Sequence, residues 1–397
     1  MHTADTNATK GKYVEQLADI FDDSELFHPY KALYIHLPFC KKRCKYCDFP
    51  TKALAADSKE MDDYLIFLIE QIRKASRIGL LGEIETVYIG GGTPTHFGSK
   101  RLSSLFYTLS LSMHLTPDTE CTLEVNPESF TESMVKDLYA LGVTRLSIGV
   151  QSFDDEVLRS IGRIHDSSQA ISAIKMAQQR FENVSIDLMC GLPHQSKESF
   201  IASLETALAL GVKHISIYPL ILEEGTVLFS EWDNGLLSLD EDLAVEMMEL
   251  AQNILYKAGF HRYEVASYAL PGYECKHNSA YWTGIPYLGL GKHAVSMRQN
   301  DDIRQRIRNG VVEEQLSKNQ YLIEDVMLGM RMSKGVSEYY LDKVSESVEG
   351  VYPCINSLIN DDYLDYDKGR YIPTHKGWLF GNHLYGTILS LDNSLED

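Results

Sequence analysis

Within "FCKKRCKYCDF", residues 39–49, cysteines stand at positions 40, 44 and 47. Thiolates are metal ligands, and Cys-x3-Cys-x2-Cys can surround a metal centre from a single loop. A zinc ion bound here would need a fourth ligand from a distant part of the chain. A cubane 4Fe–4S cluster would be held at three irons with the fourth left open. An open iron can chelate an amino acid through its amine and carboxylate. On spacing alone, unrelated loop cysteines are a third alternative. Lys41, Lys42, Arg43 and Lys45 flank the thiols; they either tune an anionic cluster or form a solvated loop. The other cysteines, Cys121, Cys190, Cys275 and Cys354, are scattered. An odd total of seven does not resemble a disulfide framework, and these four read as small core residues.

The elements that must position such a loop follow from apolar periodicity. Six β-branched runs recur: "ALYIHLPF" (32–39), "TVYIGGG" (86–92), "CTLEVNP" (121–127), "TRLSIGVQSF" (144–153), "VSIDLMCGLP" (184–193) and "HISIYPLIL" (214–222). Helical patterns such as "MDDYLIFLIEQIRKA" and "KESFIASLETALALG" separate them. Alternating strands and helices predict βαβ units and a parallel sheet. Six units are too few for a closed eight-stranded barrel, so an open (βα)6 partial barrel is expected. Polar and Gly-rich residues cluster at the C-terminal ends of the runs: Cys40, Gly90–Thr93, Glu124 with Asn126, Gln151, and Asp187 with Gly191. In βα barrels that rim carries the active site.

The pattern changes after about residue 235. An amphipathic helix, "DEDLAVEMMELAQNILYKAGF", leads into a stretch rich in aromatics, Gly and His. A further helix is expected near Glu324, and "DYLDYDKGRYIPTHKGWLFGNHLYGTIL" reads as a hairpin turning at Asp367–Gly369, then a helix. The expected divisions are an N-terminal extension (1–29), the barrel (30–235), an aromatic and His-containing extension (236–305) and a helix-rich, winged-helix-like C-terminal domain (306–397).

Lys plus Arg is 37 and Asp plus Glu is 56, a formal charge of −19. That balance disfavours phosphate contacts with nucleic acid, and anionic lipid for the same reason, leaving at most weak or indirect membrane contact. No apolar run reaches transmembrane length, and "MHTADTNATKGK" lacks a signal-peptide core. A cytoplasmic protein is expected.

With the cysteine loop directly after the first strand and Tyr46 just before the third cysteine, the chain resembles the radical SAM superfamily. The resemblance implies a 4Fe–4S cluster on Cys40, Cys44 and Cys47 with S-adenosylmethionine at its open iron. "YIGGGTPT" resembles the segment receiving the SAM amino group, giving Gly91, Gly92 and Thr93. "TLEVNPES" supplies Glu124. "SIGVQSFDDEVLRSIGRIHD" is similar to a stretch of coproporphyrinogen-oxidase-like proteins and implies Gln151 and Arg163, whose planar fork suits a carboxylate. "SIDLMCGLP" supplies Asp187, and Tyr34 and Tyr46 complete the implied cofactor contacts.

The resemblance runs from about residue 30 to 390 and covers the group of oxygen-independent coproporphyrinogen III oxidases and HemW-type heme chaperones. The oxidases carry a further cysteine two residues after the third, where this chain has Phe49. "HNSAYW" (277–282) matches a His-Asn-x-x-Tyr-Trp motif associated with heme in the chaperone branch. It implies His277 as an axial ligand; the alternative is a loop histidine beside core aromatics. His293, in "GLGKHAVSM", is a secondary candidate. Cys190 and Pro219 depart from the expected pattern. The leading expectation is a heme chaperone with an unidentified protein acceptor, with a homodimer as one expected state. The alternatives are an oxidase that decarboxylates coproporphyrinogen III or another radical SAM enzyme acting on a tetrapyrrole.

Overall fold

The computed structural model describes residues 26–392; the expected N-terminal extension falls outside the described residues except for 26–29. All six expected strands form: β1 (Ala32–Leu37), β2 (Thr86–Gly91), β3 (Glu120–Val125), β4 (Arg145–Gln151), β5 (Asn183–Cys190) and β6 (His214–Pro219). They pair in parallel in chain order. Helices α1 (Lys59–Arg77), α2 (Ser99–Ser112), α3 (Glu132–Ala140), α4 (Asp155–Ser160), α5 (Ser167–Gln178) and α6 (Lys197–Ala209) fill the crossovers, and α7 (Val227–Asp233) and α8 (Glu241–Lys257) follow β6. Side-chain caps start many of these helices: Ser58 accepts from Glu60 N–H, and Asp166 and Ser196 form capping boxes, satisfying amides that lack intrahelical partners.

Alternation along each strand divides the chain chemically. Leu33, Ile35 and Leu37 join the main apolar core, as do Val87 with Ile89 and Ile186 with Leu188. The intervening residues face the barrel lumen and are largely polar, including Tyr34, His36, Tyr88, Glu124, Arg145, Ser147 and Asp187. Period-two geometry places these sets on opposite faces.

The region after 235 contributes more to the barrel than its sequence suggested. Strand β9 (Tyr287–Leu290) pairs parallel with β1 as a seventh barrel strand. It is followed by antiparallel β10 (Val295–Gln299), β11 (Ile303–Arg308) and β12 (Val311–Ser317). On the other flank, β7 (His261–Arg262) and β8 (Ser267–Ala269) extend the sheet beyond β6, giving twelve strands in all. Gly289 is needed because a Cβ there would lie 2.3 Å from the Val295 carbonyl oxygen. The expected divide at 305/306 falls inside β11; a second apolar core begins only at Ile323 and runs to Ile388.

Helix α9 (Lys276–Trp282) precedes β9, and α10 (Lys318–Gly329) begins at a Ser317–Gln320 capping box, earlier than the helix expected near Glu324. The C-terminal region adds α11 (Glu338–Ser345), α12 (Val351–Asn360), α13 (His375–Leu379) and α14 (Gly381–Leu389). Its small sheet combines β13 (Val336–Ser337) with the hairpin β14 (Leu364–Asp367) and β15 (Arg370–Pro373). Arg304, fully buried, joins this region to the sheet flank: it donates to Gln299, Glu324 and Asp325. Such a charge is tolerated inside a fold only with its hydrogen bonds satisfied.

Candidate cluster and cofactor site

The cysteine loop leaves the end of β1 through a short ladder, Phe39–Cys40 with Lys52–Ala53. Backbone bonds tie it to the elements beyond β4 and β6: Lys45 N–H donates to the Ile161 carbonyl and Leu228 N–H to the Lys45 carbonyl, both at 3.0 Å. Lys45 also pairs with Glu231 at 2.7 Å. Tyr46 packs against a small core of Val157, Ile161, Met189, Leu192 and Leu228. Gly162, at φ +77°, lies against Lys45; an added Cβ would come within 3.2 Å of its side chain.

All seven cysteines are free thiols. Cys40 is buried, Cys44 and Cys47 half-buried. Among the described residues, no three His, Cys, Asp or Glu side chains converge on a single-ion position. The three thiols are close enough to act on one another electrostatically, and three thiolates from one loop can each ligate one iron of a cubane. The donor set fits a cluster.

Arg163 spans the loop and the rim. Its Nη1 donates to Cys44 Sγ at 3.6 Å, and its Nη2 to Asn126 Oδ1 at 3.3 Å and to the Gly149 carbonyl. Gly149 marks the convergence of the ends of β3 and β4 with Arg163: a Cβ there would meet Asn126 Oδ1 and Gln151 Nε2, both at 3.2 Å, and Arg163 Nη2 at 3.4 Å. Gln151 ends β4 at φ +67°, immediately after a register shift. A non-Gly residue in that region is uncommon and frequently marks function.

The triple glycine serves close packing. A Cβ on Gly90 would lie 2.7 Å from the Glu124 carboxyl group, one on Gly91 2.4 Å from the His36 ring, and one on Gly92 2.7 Å from Phe39 N. Glu124 accepts from Gly91 N–H at 2.9 Å and from Tyr88 Oη at 3.0 Å. Burial pushes its carboxyl up to about 7, and burial likewise raises Asp187 to about 6. Thr93 Oγ1 accepts from Asn126 Nδ2 at 3.0 Å. Tyr34 Oη lies 2.9 Å from His36 Nδ1. His36 was not singled out in the sequence; its spacing of two from Tyr34 was the available signal.

The two expected heme candidates are His277 and His293. His277 sits in α9, which packs against β2, and is 1% exposed. Its Nδ1 is 2.9 Å from Thr86 Oγ1 and its Nε2 3.1 Å from Tyr281 Oη, while the ring stacks on Tyr88. Both nitrogens are therefore engaged, and burial lowers the imidazole pKa to about 3. In this arrangement α9 seats the ring among aromatics at the start of β2. Trp282 donates to buried Glu264 at 3.0 Å, so it is also occupied. His293 is exposed in the β9–β10 turn at φ +67°.

Parallel βα units, a three-thiol loop after the first strand and a rim of buried carboxylates define a radical SAM protein. The Radical SAM superfamily model matches residues 34–207. The chain is 36% identical to the heme chaperone HemW of Synechocystis over 80% of this chain and 81% of that protein. It is 33% identical to the Bacillus subtilis heme chaperone HemW over 90% of this chain and 99% of that protein. The fold is similar to the structure of Escherichia coli coproporphyrinogen III oxidase (HemN), with a TM-score of 0.77, 21% identity, and coverage of 96% of this chain and 93% of that one. The chain belongs to the HemW family of radical SAM proteins, and that superfamily implies a 4Fe–4S cluster and S-adenosylmethionine as cofactors.

Proposed function

We propose that this chain binds heme and transfers it to a protein acceptor, holding a 4Fe–4S cluster on Cys40, Cys44 and Cys47 with S-adenosylmethionine beside it. One observation carries the reading above the others: similarity to a heme chaperone extends along 99% of that relative's length. Phe49 agrees with it. The side chain is apolar and 59% exposed, where oxidases of the resembling group carry a further thiol.

The cluster supplies one-electron chemistry when bound; the chain orients and shields it. Arg163 donates to a cluster thiol and stands beside Asn126 and Gln151, where a methionyl carboxylate would be paired. Glu124 and Asp187 offer carboxylates for the amine and ribose. Gly91, Gly92 and Thr93 offer close backbone approach, and Tyr34 and Tyr46 flank the site.

His277 remains the proposed heme ligand, in a conformer where its ring has left Thr86 and Tyr281. Each such bond contributes roughly 1 kcal/mol, so the ligating conformer is a minor one and the apparent affinity is reduced accordingly.

The test is anaerobic reconstitution with iron, sulfide and S-adenosylmethionine, followed by heme and coproporphyrinogen III in parallel. Stoichiometric heme binding without protoporphyrinogen IX is the expected result. Sustained formation of protoporphyrinogen IX with reductant would transfer the assignment to an oxidase.

A further inference from the structure

The floor of the barrel lumen carries a buried cation that makes no hydrogen bond, although Cys275, Glu120, Tyr88 and Tyr263 act on its charge through space. Arg145 begins β4, is 2% exposed, and its guanidinium forms no hydrogen bond or ion pair among the described residues. Thr122 on β3 and Asn183 on β5 are its direct neighbours in register, and both point to the same side of the sheet. Thr122 Oγ1, Arg145 Nε and Asn183 Oδ1 are each buried without a partner. Three adjacent strands thus present a row of unsatisfied polar groups, each costing roughly 1–3 kcal/mol if left dry. The Asn183 amide can turn to present its NH2 group, because oxygen and nitrogen exchange places by a flip. The row then consists of a forked cation and two donors.

The nearest candidate counter-charge is committed elsewhere. Glu120 accepts from the backbone N–H of Lys276 and His277, at 3.0 and 2.9 Å, and from Cys275 Sγ, so it caps α9 and makes no ion pair with Arg145. Arg145 is close enough to act electrostatically on His277, Asp187 and His214.

We infer that Arg145, with Thr122 and Asn183, is a carboxylate site on the lumen floor, and that the group it takes is a propionate of the bound tetrapyrrole. A planar guanidinium pairs a carboxylate in fork geometry, and burial strengthens that pairing relative to water. The inference rests on the heme-binding reading. It adds that the porphyrin docks with an anionic edge toward β3–β5, beside the imidazole of α9.

The test compares heme with its dimethyl ester, in which both propionates are blocked, on the cluster-loaded protein. Wild type is expected to bind heme about 10- to 100-fold more tightly than the ester, the range of a charge-assisted bond. Arg145→Gln should reduce that preference to within about threefold. Thr122→Val, close in shape and leaving the cation in place, should reduce it by about fivefold. Thermal melting and iron content identify any variant that has not folded, and Thr122→Val then carries the test. A preference that survives these substitutions, or equal binding of heme and ester by wild type, would overturn the inference and leave the row to buried water. If neither ligand binds wild type, the heme reading itself fails.

Discussion

The guanidinium of Arg163 reaches the sulfur of Cys44 at 3.6 Å across 119 residues of chain, and the same group bonds Asn126 and Gly149 on the rim. One side chain therefore couples the metal loop to the C-terminal ends of β3 and β4. Burial opposes its charge, and Tyr46, the Cys44 thiol and the Glu128 carboxylate outweigh that opposition.

Cluster assembly should separate the two groups of cysteines. Alanine at Cys40, Cys44 or Cys47 is expected to abolish stoichiometric iron and sulfide after reconstitution, because two protein ligands cannot hold a cubane. Alanine at Cys121, Cys190, Cys275 or Cys354 should leave iron content unchanged. Arg163→Ala should keep the cluster but weaken S-adenosylmethionine by roughly 1–3 kcal/mol, the scale of a lost bond to a charged group. Calorimetric titration of the reconstituted protein checks it.

Glu124 should give the apo protein a pH-dependent stability opposite to that of a salt-bridged acid. Its folded carboxyl titrates near 7 because of burial, whereas an unfolded glutamate titrates near about 4.3. Between those values the folded state binds the extra proton. Stability from this residue is thus greatest at low pH and declines as pH rises through that window. In Glu124→Gln that decline is absent. The variant should gain on wild type by up to about 3 kcal/mol between pH 4 and pH 8, since each unit corresponds to about 1.4 kcal/mol. Urea unfolding of both proteins across that range measures the difference; a constant gap would place the carboxyl at an ordinary value.

Releasing His277 should improve heme binding. Thr86→Val removes the hydroxyl facing Nδ1 and nearly preserves shape. Heme affinity is expected to rise about fivefold, corresponding to one hydrogen bond of about 1 kcal/mol. His277→Ala should lose the ligand-field bands of bound heme. Unchanged spectra in His277→Ala would move the ligand elsewhere, with His293 the next residue to substitute.

Gly91→Ala should destabilise the rim through two separable terms. At φ +114° an L side chain is strained, and the new Cβ would sit 2.4 Å from the His36 ring. Backbone strain of this kind costs on the order of 1–3 kcal/mol. Repeating the substitution in a His36→Gly background relieves the clash and retains the strain. The double-mutant cycle should therefore show favourable coupling; additive losses would mean that His36 moves aside freely.

The metal loop, the six strands and the glycines of the rim were legible in the linear order of residues. Each depends on spacing within one segment: three thiols within eight positions, period-two apolar alternation, and three consecutive residues without side chains. Local patterns of this kind are set by neighbours in the chain, so the loop, the strands and the glycine turn could be placed without a fold. Tertiary structure decided what depends on partners far apart in sequence. Strand β9 looked like part of an aromatic stretch, but it pairs in parallel with β1 and, where Gly289 admits the Val295 carbonyl, packs closely on β10. His277 carried the motif of a ligand, but Thr86 and Tyr281 claim both its nitrogens. Arg145 drew no reading from the sequence, and only the register of three strands placed it in the lumen beside Thr122 and Asn183. A residue's type sets what it can bind; burial and the unpaired groups around it, which come from distant segments, set what it is free to bind.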